Sequence, residues 1–260
     1  MTGRLQNKAA VVTGAASGMG AAMAHRFRAE GAEVILTDVQ KEKGEAVARA
    51  CGGIFIAHDV STPEGWDAVG KLVDSKFGRL DILVNNAGIM SGQSIETTDM
   101  ATWRRVLGVN LDGPMLGAQM AIPRMRKDRG GKGGAIINIA STTSYAALAG
   151  DLAYTSSKSA VRLLTKSIAV WCARNGTEIR CNSIHPGATR TAITDPFLDA
   201  APDREAALGE LAAMSPFNRI GQPEDIAAVA TFLASDEASF VTGSEYLCDG
   251  GCLAAHPGGM

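Results

Sequence analysis

Tyr154 and Lys158 stand four residues apart in the run Tyr154-Thr155-Ser156-Ser157-Lys158. On a helix that spacing puts both side chains on one face, a phenol beside an ammonium. A free phenol has a pKa of about 10 and exchanges protons poorly near neutrality. A neighbouring cation favours the phenolate and draws that pKa toward the working range. The pair therefore has the makings of a general acid/base. The same spacing also occurs on ordinary helix surfaces, so the residues around it must decide.

A second chemical signal lies near the N-terminus, in Thr13-Gly14-Ala15-Ala16-Ser17-Gly18-Met19-Gly20. It follows an apolar run and opens a helical pattern. Glycines at 14, 18 and 20, with Ser17 and Met19 between them, let a backbone turn tightly and approach a pyrophosphate. The start of a helix adds free N–H groups and a positive dipole end. The spacing is T-G-x-x-x-G-x-G rather than the usual dinucleotide G-x-G-x-x-G, and a plain strand-to-helix turn is the alternative. Asp38 ends the next apolar run, about twenty residues further on, where a carboxylate can accept bonds from ribose hydroxyls. The same carboxylate would repel a 2′-phosphate, and neither the glycine loop nor position 39 carries an arginine or lysine. These residues favour NAD over NADP; helix capping is the other reading of Asp38. Asp59, beside Val60, is placed either to bond an adenine amino group or to cap the helix beginning near Pro63. In Asn85-Asn86-Ala87-Gly88, small residues would let the backbone approach a ribose while amide side chains lock the loop.

The elements that must position these residues alternate along the chain. Short apolar runs at 8–13, 33–38, 54–57, 80–84, 135–139, 179–184 and 245–248 read as strands. Helical patterns occupy 21–30, a stretch ending at 50, 63–77, 100–125, 154–174 and 223–233. Continuous apolar strands separated by helices predict one doubly wound α/β domain of the Rossmann type. Its seven-stranded parallel sheet would carry helices on both faces. The 260 residues, 46% hydrophobic and 20% charged, suffice for such a core as a single domain spanning 1–260. Residues 191–216 are the least regular stretch and read as a lid over a site.

Composition narrows the function. A formal charge of −2 offers nothing for nucleic acid. The five cysteines form no zinc-type pair of motifs, and the four histidines lack ligand spacing, so no metal is expected. No apolar signal core and no run of about 18 apolar residues occurs, which predicts a cytoplasmic protein without a membrane span.

Taken jointly and in order, these motifs resemble the short-chain dehydrogenase/reductases over essentially the whole chain. The resemblance is carried by Thr13 to Gly20, Asp59, Asn85-Asn86-Ala87-Gly88, Asn110, Ser141, Tyr154 with Lys158, and Pro186-Gly187 followed by Thr191. The segments at 109–113, 179–187 and 243–245, and His58-Asp59-Val60 with Trp66, are similar to bacterial hydroxysteroid and secondary-alcohol dehydrogenases. The resemblance implies Tyr154 as general acid/base and Lys158 as the group that lowers its pKa and bonds the nicotinamide ribose. It implies that Ser141 holds the substrate oxygen and that Asn110 supports a water chain from Lys158 to solvent. Pro186, Gly187, the backbone at Thr189 and the Thr191 hydroxyl would hold the carboxamide. Thr189 departs mildly from the aliphatic residue common there.

The implied reaction interconverts a small-molecule secondary alcohol and its ketone with NAD. The family habit is a homotetramer built through the helices at 100–125 and 154–174 and the C-terminal strand. Met90, Tyr145, Leu148, Leu198 and Met214 are candidates to line an apolar substrate pocket, or are ordinary packing. Rival readings are a 3-oxoacyl thioester reductase, which Asp38 disfavours because that role usually takes NADP, and a nucleotide-sensing regulator with a dead site.

Overall fold

The computed structural model describes residues 3–191, 194–199 and 201–255. Seven parallel strands form one sheet: β1 (Ala9–Thr13), β2 (Glu33–Asp38), β3 (Ile54–Ala57), β4 (Ile82–Asn85), β5 (Gly134–Ile139), β6 (Ile179–Pro186) and β7 (Glu245–Cys248). Their spatial order is β3-β2-β1-β4-β5-β6-β7. The order reverses between β1 and β4, and the carboxyl ends of strands at such a switch point are where α/β sheets bind ligands.

Neighbouring residues on each strand point to opposite faces, and both faces are buried. Val12, Leu36, Val84 and Ile137 pack on one side against Met23 and Phe27 of α1 (Gly18–Ala29) and Ile226 and Leu233 further along the chain. Val11, Ile35, Leu83 and Ile136 pack on the other side against Trp66, Val69, Val73, Met125 and Cys172. This double burial is why the strands read as unbroken apolar runs.

Between the strands lie α2 (Lys41–Cys51), α3 (Pro63–Lys76), α4 (Met100–Leu107), α5 (Gly113–Met125), α6 (Leu152–Arg174), α7 (Asp195–Asp199), α8 (Arg204–Ala213) and α9 (Pro223–Ala234). Several boundaries move from the sequence expectation. β6 runs on to Pro186, and α1 begins at Gly18 rather than at 21, with Gly18 itself in the left-handed region at φ +53. α6 starts two residues ahead of Tyr154 because the Asp151 carboxylate caps it, accepting from Tyr154 N–H at 3.1 Å. The helix expected over 100–125 is α4 and α5 joined by one π-helical turn, Gly108–Asp112, with Asn110 at its centre. Single π turns inside α-helices often mark functional positions, because the extra residue rotates a side chain out of the regular face.

Candidate active site

The loops after β1 and β4 are fastened to each other. Thr13 Oγ1 accepts the N–H groups of Asn86 and Ala87, each at 3.0 Å. Asn86 Nδ2 donates to the carbonyls of Thr13 (2.8 Å) and Gly14 (3.0 Å). Close backbone approach here demands glycine. A Cβ on Gly20 would sit 2.2 Å from the Gly14 carbonyl oxygen, and Gly14 itself has φ +63. No side chain caps α1 at Ser17, so the first N–H groups of that helix face outward into the cleft.

The cleft so formed has a volume of about 330 Å³. Gly14, Ser17, Gly18, Met19, Asp38, Asp59, Val60, Asn86, Ala87, Gly88 and Thr191 all line it, together with Val39, Gln40, His58, Ile89 and Val109. No arginine or lysine is among these lining residues. Gly20 lies beneath the loop as its packing partner rather than in the lining.

Asp38 Oδ2 accepts from Ala16 N–H (3.1 Å) and Oδ1 from Gln40 N–H (2.9 Å). It ties the glycine loop to the end of β2, while Gln40 holds the cap position of α2. Each carboxylate oxygen keeps acceptor capacity for a further donor. Asp59 does not cap α3, a role taken by Thr62. Its Oδ1 accepts from Ser61 N–H and Oγ, and the Ser61 hydroxyl, then its backbone, holds the carboxyl below its ordinary pKa. His58 is buried against Trp66, and desolvation pushes it down to about 4, so its ring is neutral.

Tyr154 and Lys158 of α6, like Ser141 and Asn110, are not among the lining residues, but Lys158 meets the cleft at Gly88. Lys158 Nζ lies 5.7 Å from the Tyr154 ring centroid and donates to the Ile139 carbonyl at 2.8 Å. A Cβ on Gly88 would be 3.2 Å from Nζ, so the ammonium lies directly over the loop after β4. Burial lowers Lys158 to about 8. Tyr154 differs from the sequence expectation of a lowered pKa. Burial raises it, the Ser141 hydroxyl works the other way, and the Asp151 charge raises it again.

Ser141 is buried at the end of β5, and its Oγ accepts from Thr143 N–H at 3.1 Å. Its carbonyl is bonded by His185 Nδ1 of β6 at 3.1 Å. Asn110 is wholly buried and fastens two segments. Its Oδ1 accepts from Ile89 N–H (2.8 Å), and its Nδ2 donates to the Ile89 carbonyl (2.9 Å) and to Ser157 Oγ (3.0 Å). The carboxamide thus ties the loop after β4 to α6 at Ser157.

The remaining candidates divide. Gly187 N–H donates to the Cys248 carbonyl (3.1 Å), which anchors the Pro186-Gly187 turn on β7. Thr189 is buried and its hydroxyl donates to the Gly187 carbonyl at 3.0 Å, while its backbone bridges to Gly221. Thr191 closes over the glycine loop, within 3.3 Å of where a Cβ on Gly18 would stand. Pro186, Gly187 and Thr189 are absent from the cleft lining itself. The Tyr145 hydroxyl donates to Glu245 of β7, with Arg162 stacked 4.3 Å from its ring. Burial and then Glu245 push that phenol up to about 12. Leu198 is buried, only 2% exposed, and is not among the residues lining the cleft. Met214 lines a second cleft, with Leu211, Phe217, Cys248 and Cys252, that shares no lining residue with the first. Ile193 lies outside the described residues. Among the described residues no group of three or more His, Cys, Asp or Glu is arranged to hold a metal, and no helix is long and apolar enough to cross a membrane.

A family model described as enoyl-(acyl carrier protein) reductase matches residues 14–252. The chain is 39% identical over 258 residues to the NADP-dependent (R)-specific alcohol dehydrogenase of Lentilactobacillus kefiri, covering 98% of this chain and 100% of that protein. It is 37% identical to the 3-beta-hydroxysteroid dehydrogenase of Comamonas testosteroni, covering 97% and 98%. The chain belongs to the short-chain dehydrogenase/reductase family. As a member of that family it is an oxidoreductase. The ligand-free Thermoplasma acidophilum aldohexose dehydrogenase superposes with a TM-score of 0.90 at 35% identity, covering 99% of this chain and 98% of that one.

Within this short-chain dehydrogenase/reductase, four supporting groups escaped the sequence reading: Asp151, Ser157, His185 and the Ile139 carbonyl. Asp151 carried a signal, since an Asp directly ahead of an apolar helical pattern is a helix-start mark. The other three act across elements far apart in sequence, and no local pattern announces them.

Proposed function

We propose that this chain is an NAD-dependent dehydrogenase that interconverts a secondary alcohol of cyclic, steroid or aryl-alkyl type and its ketone, with Tyr154 as general acid/base. The observation that carries the reading is the arrangement of one cleft. Asp38 and the glycine loop stand at one end, and Lys158 lies over Gly88 toward the other, with Tyr154 and Ser141 beside it.

The residues fit a nicotinamide dinucleotide. Gly14 and Gly20 let the two loops pack backbone to backbone under a cleft lined by Ser17, Gly18 and Met19, and uncapped N–H groups of α1 suit a pyrophosphate. When bound, the nicotinamide supplies the hydride acceptor for oxidation and the hydride donor for reduction. In oxidation Tyr154 Oη takes the proton of the substrate hydroxyl; in reduction it returns a proton to the carbonyl oxygen. The Ser141 hydroxyl donates to the same oxygen and stabilises its developing charge. Thr143 N–H occupies a lone pair of Ser141 Oγ, and the Ser141 hydroxyl hydrogen turns between Tyr154 and the substrate oxygen. Lys158 favours the phenolate and holds the ribose. Asn110 Oδ1 keeps one lone pair on the Gly88 side, near Lys158, which supports a water-borne proton path from that ammonium.

The Lentilactobacillus relative is NADP-dependent by name. For this chain NAD is preferred because Asp38 would face the 2′-phosphate and the lining offers no cation to receive it. The same argument disfavours a thioester reductase of the NADP-using type. The assembly in this reading is a homotetramer. Exposed Leu163, Val170 and Trp171 on α6 and Leu247 on β7 support apolar contact between copies, which sedimentation velocity would measure. The deciding experiment is initial-rate kinetics with NAD and NADP over steroid, cyclic and aryl-alkyl secondary alcohols. Oxidation with a clear NAD preference is expected; equal use of both cofactors would contradict the Asp38 argument, and no turnover of any alcohol would contradict the reaction.

A further inference from the structure

Asp151 has no part in the steps above, yet it is the most deeply buried carboxylate among the described residues, at 0% exposure. Its two oxygens accept four hydrogen bonds. Oδ1 accepts from Ser91 Oγ (2.6 Å) and Tyr154 N–H (3.1 Å). Oδ2 accepts from Ser91 N–H (2.7 Å) and Gly92 N–H (2.8 Å). Beside it, Leu152 N–H donates to the Gln93 carbonyl at 3.0 Å. The first turn of α6 is therefore sewn to the loop after β4 one turn ahead of Tyr154. The Asn110 carboxamide makes a parallel tie further along the same pair of segments, at Ile89 and Ser157.

Asp151 caps α6, and Tyr154 and Lys158, four apart, share one face of the helix that it starts. The phenol is flanked along the helix by an anion and a cation. We propose that Asp151 is the positioning residue of this site: it fixes Tyr154 against the loop after β4 and sets a negative charge on the side of Tyr154 opposite the positive charge of Lys158. The inference rests on the reading of Tyr154 as acid/base. Its electrostatic half agrees with the direction of the phenol, which the Asp151 charge pushes up. Residues 87–95 of the loop carry no titratable side chain. The other charged or titratable groups around the site are His185 on β6, Tyr145 after Ser141, Arg162 on α6 and Glu245 on β7. His185 is held low by burial, and Arg162 and Tyr145 both engage Glu245. None of these is replaced in the test.

The test is the pH profile of kcat/KM for alcohol oxidation with NAD, for wild type, Asp151→Asn and Asp151→Ser, with thermal melts and NAD binding measured alongside. Oxidation needs the phenolate, so the rate rises with pH through the Tyr154 pKa. Removing the neighbouring anion lowers that pKa, and the rising limb is expected to move about one pH unit toward acid. Asp151→Ser keeps a hydroxyl for the Tyr154 N–H and serves if Asp151→Asn does not fold. Ser91→Ala removes one donor but keeps the charge, and should lower the melting temperature without moving the limb to acid. A limb that stays in place in both Asp151 variants while stability falls would overturn the proposal. So would failure of both variants to fold, which would make Asp151 a folding residue alone. Tyr154→Phe, measured in the same series, separates the two readings. If it keeps turnover, the acid/base assignment fails; if it loses turnover and the Asp151 limb stays fixed, only the positioning role fails.

Discussion

At the glycine-loop end the cleft is made of backbone. Gly14, Gly18 and Gly88 bring main chain to the cleft surface, Gly20 packs beneath them, and Thr13 and Asn86 lock two loops through bonds to peptide groups. Around Ser141 the work falls to side chains: the Asp151 carboxylate holds the Tyr154 backbone N–H, and the Asn110 carboxamide bonds the Ser157 hydroxyl. In the segment 194–216, read from sequence as a lid, Leu198 and Met214 are apolar residues in two different settings. A backbone site tolerates almost no added atom, whereas a side-chain site tolerates change in proportion to what the altered group does. Substitutions at the two ends should therefore fail differently.

The largest effect belongs to the side-chain end. Tyr154→Phe removes the hydroxyl proposed to move the proton and leaves the glycine loop intact. Turnover should fall by about 10²–10⁴-fold, the usual contribution of a general acid/base. NAD should still bind, as followed by quenching of protein fluorescence. Turnover within a few-fold of wild type would remove Tyr154 from the chemistry.

Cofactor choice tests the far end. Asp38→Ala with Val39→Arg removes a carboxylate and adds a cation where a 2′-phosphate would lie. Charge-assisted bonds are worth about 1.5–3 kcal/mol, roughly ten- to a hundredfold in affinity. NAD should weaken by about that factor and NADP should gain. Asp38 also holds Ala16 and Gln40, so some stability should be lost. A melting curve on the same variant separates that loss from cofactor choice. Preference that stays with NAD would move the determinant elsewhere.

Gly20→Ala puts the backbone argument itself at risk. The added methyl would stand 2.2 Å from the Gly14 carbonyl oxygen and 2.7 Å from Asn86 Nδ2. Neither can yield without breaking the Thr13–Asn86 lock. Overpacking of this kind costs about 1–3 kcal/mol. Both melting temperature and NAD affinity should drop together, unlike Tyr154→Phe, which should leave both largely alone. A Gly20→Ala protein with wild-type stability and NAD binding would show that the loop packing is not rigid.

The same contrast explains what the chain discloses on reading. The strands were legible because they are buried on both faces, and β7 begins and ends at the expected residues, Glu245 and Cys248. The glycine loop was legible because sterics allow few residues there. The π turn at Asn110 was not, since an apolar helical pattern runs through it without a breaker. The start of α6 was placed late because the cap, Asp151, was not recognised. Tyr145 could not be read, since its partner Glu245 lies 100 residues away and only the β6–β7 pairing brings it near. Leu198 and Met214 are both apolar residues of an irregular stretch, and hydrophobicity alone cannot say which one is buried.

That last pair gives the smallest and most discriminating prediction. Leu198 is buried in α7, where its N–H bonds the Thr194 carbonyl and Arg204 ties Asp199 of the same helix to α8. Thr194 in turn bonds Thr191, which lies over Gly18 at the cleft. Shortening Leu198 should therefore loosen packing that reaches the cofactor side. Met214 is 57% exposed and lines the second cleft, against Phe217 and Cys252. Truncating it leaves the first cleft's lining intact. Across a graded set of small and bulky secondary alcohols, Leu198→Ala should change relative kcat/KM by about tenfold in favour of bulk, the scale of one or two methylenes in a pocket. Met214→Ala should change the ranking by no more than about twofold, in line with a surface substitution of under about 0.5 kcal/mol. Hydrogen exchange over 194–216 should slow on adding NAD with substrate if this segment closes over them. Equal shifts from the two variants would mean that the two clefts join when substrate is bound. No shift from either, with exchange unchanged, would remove the lid from substrate selection.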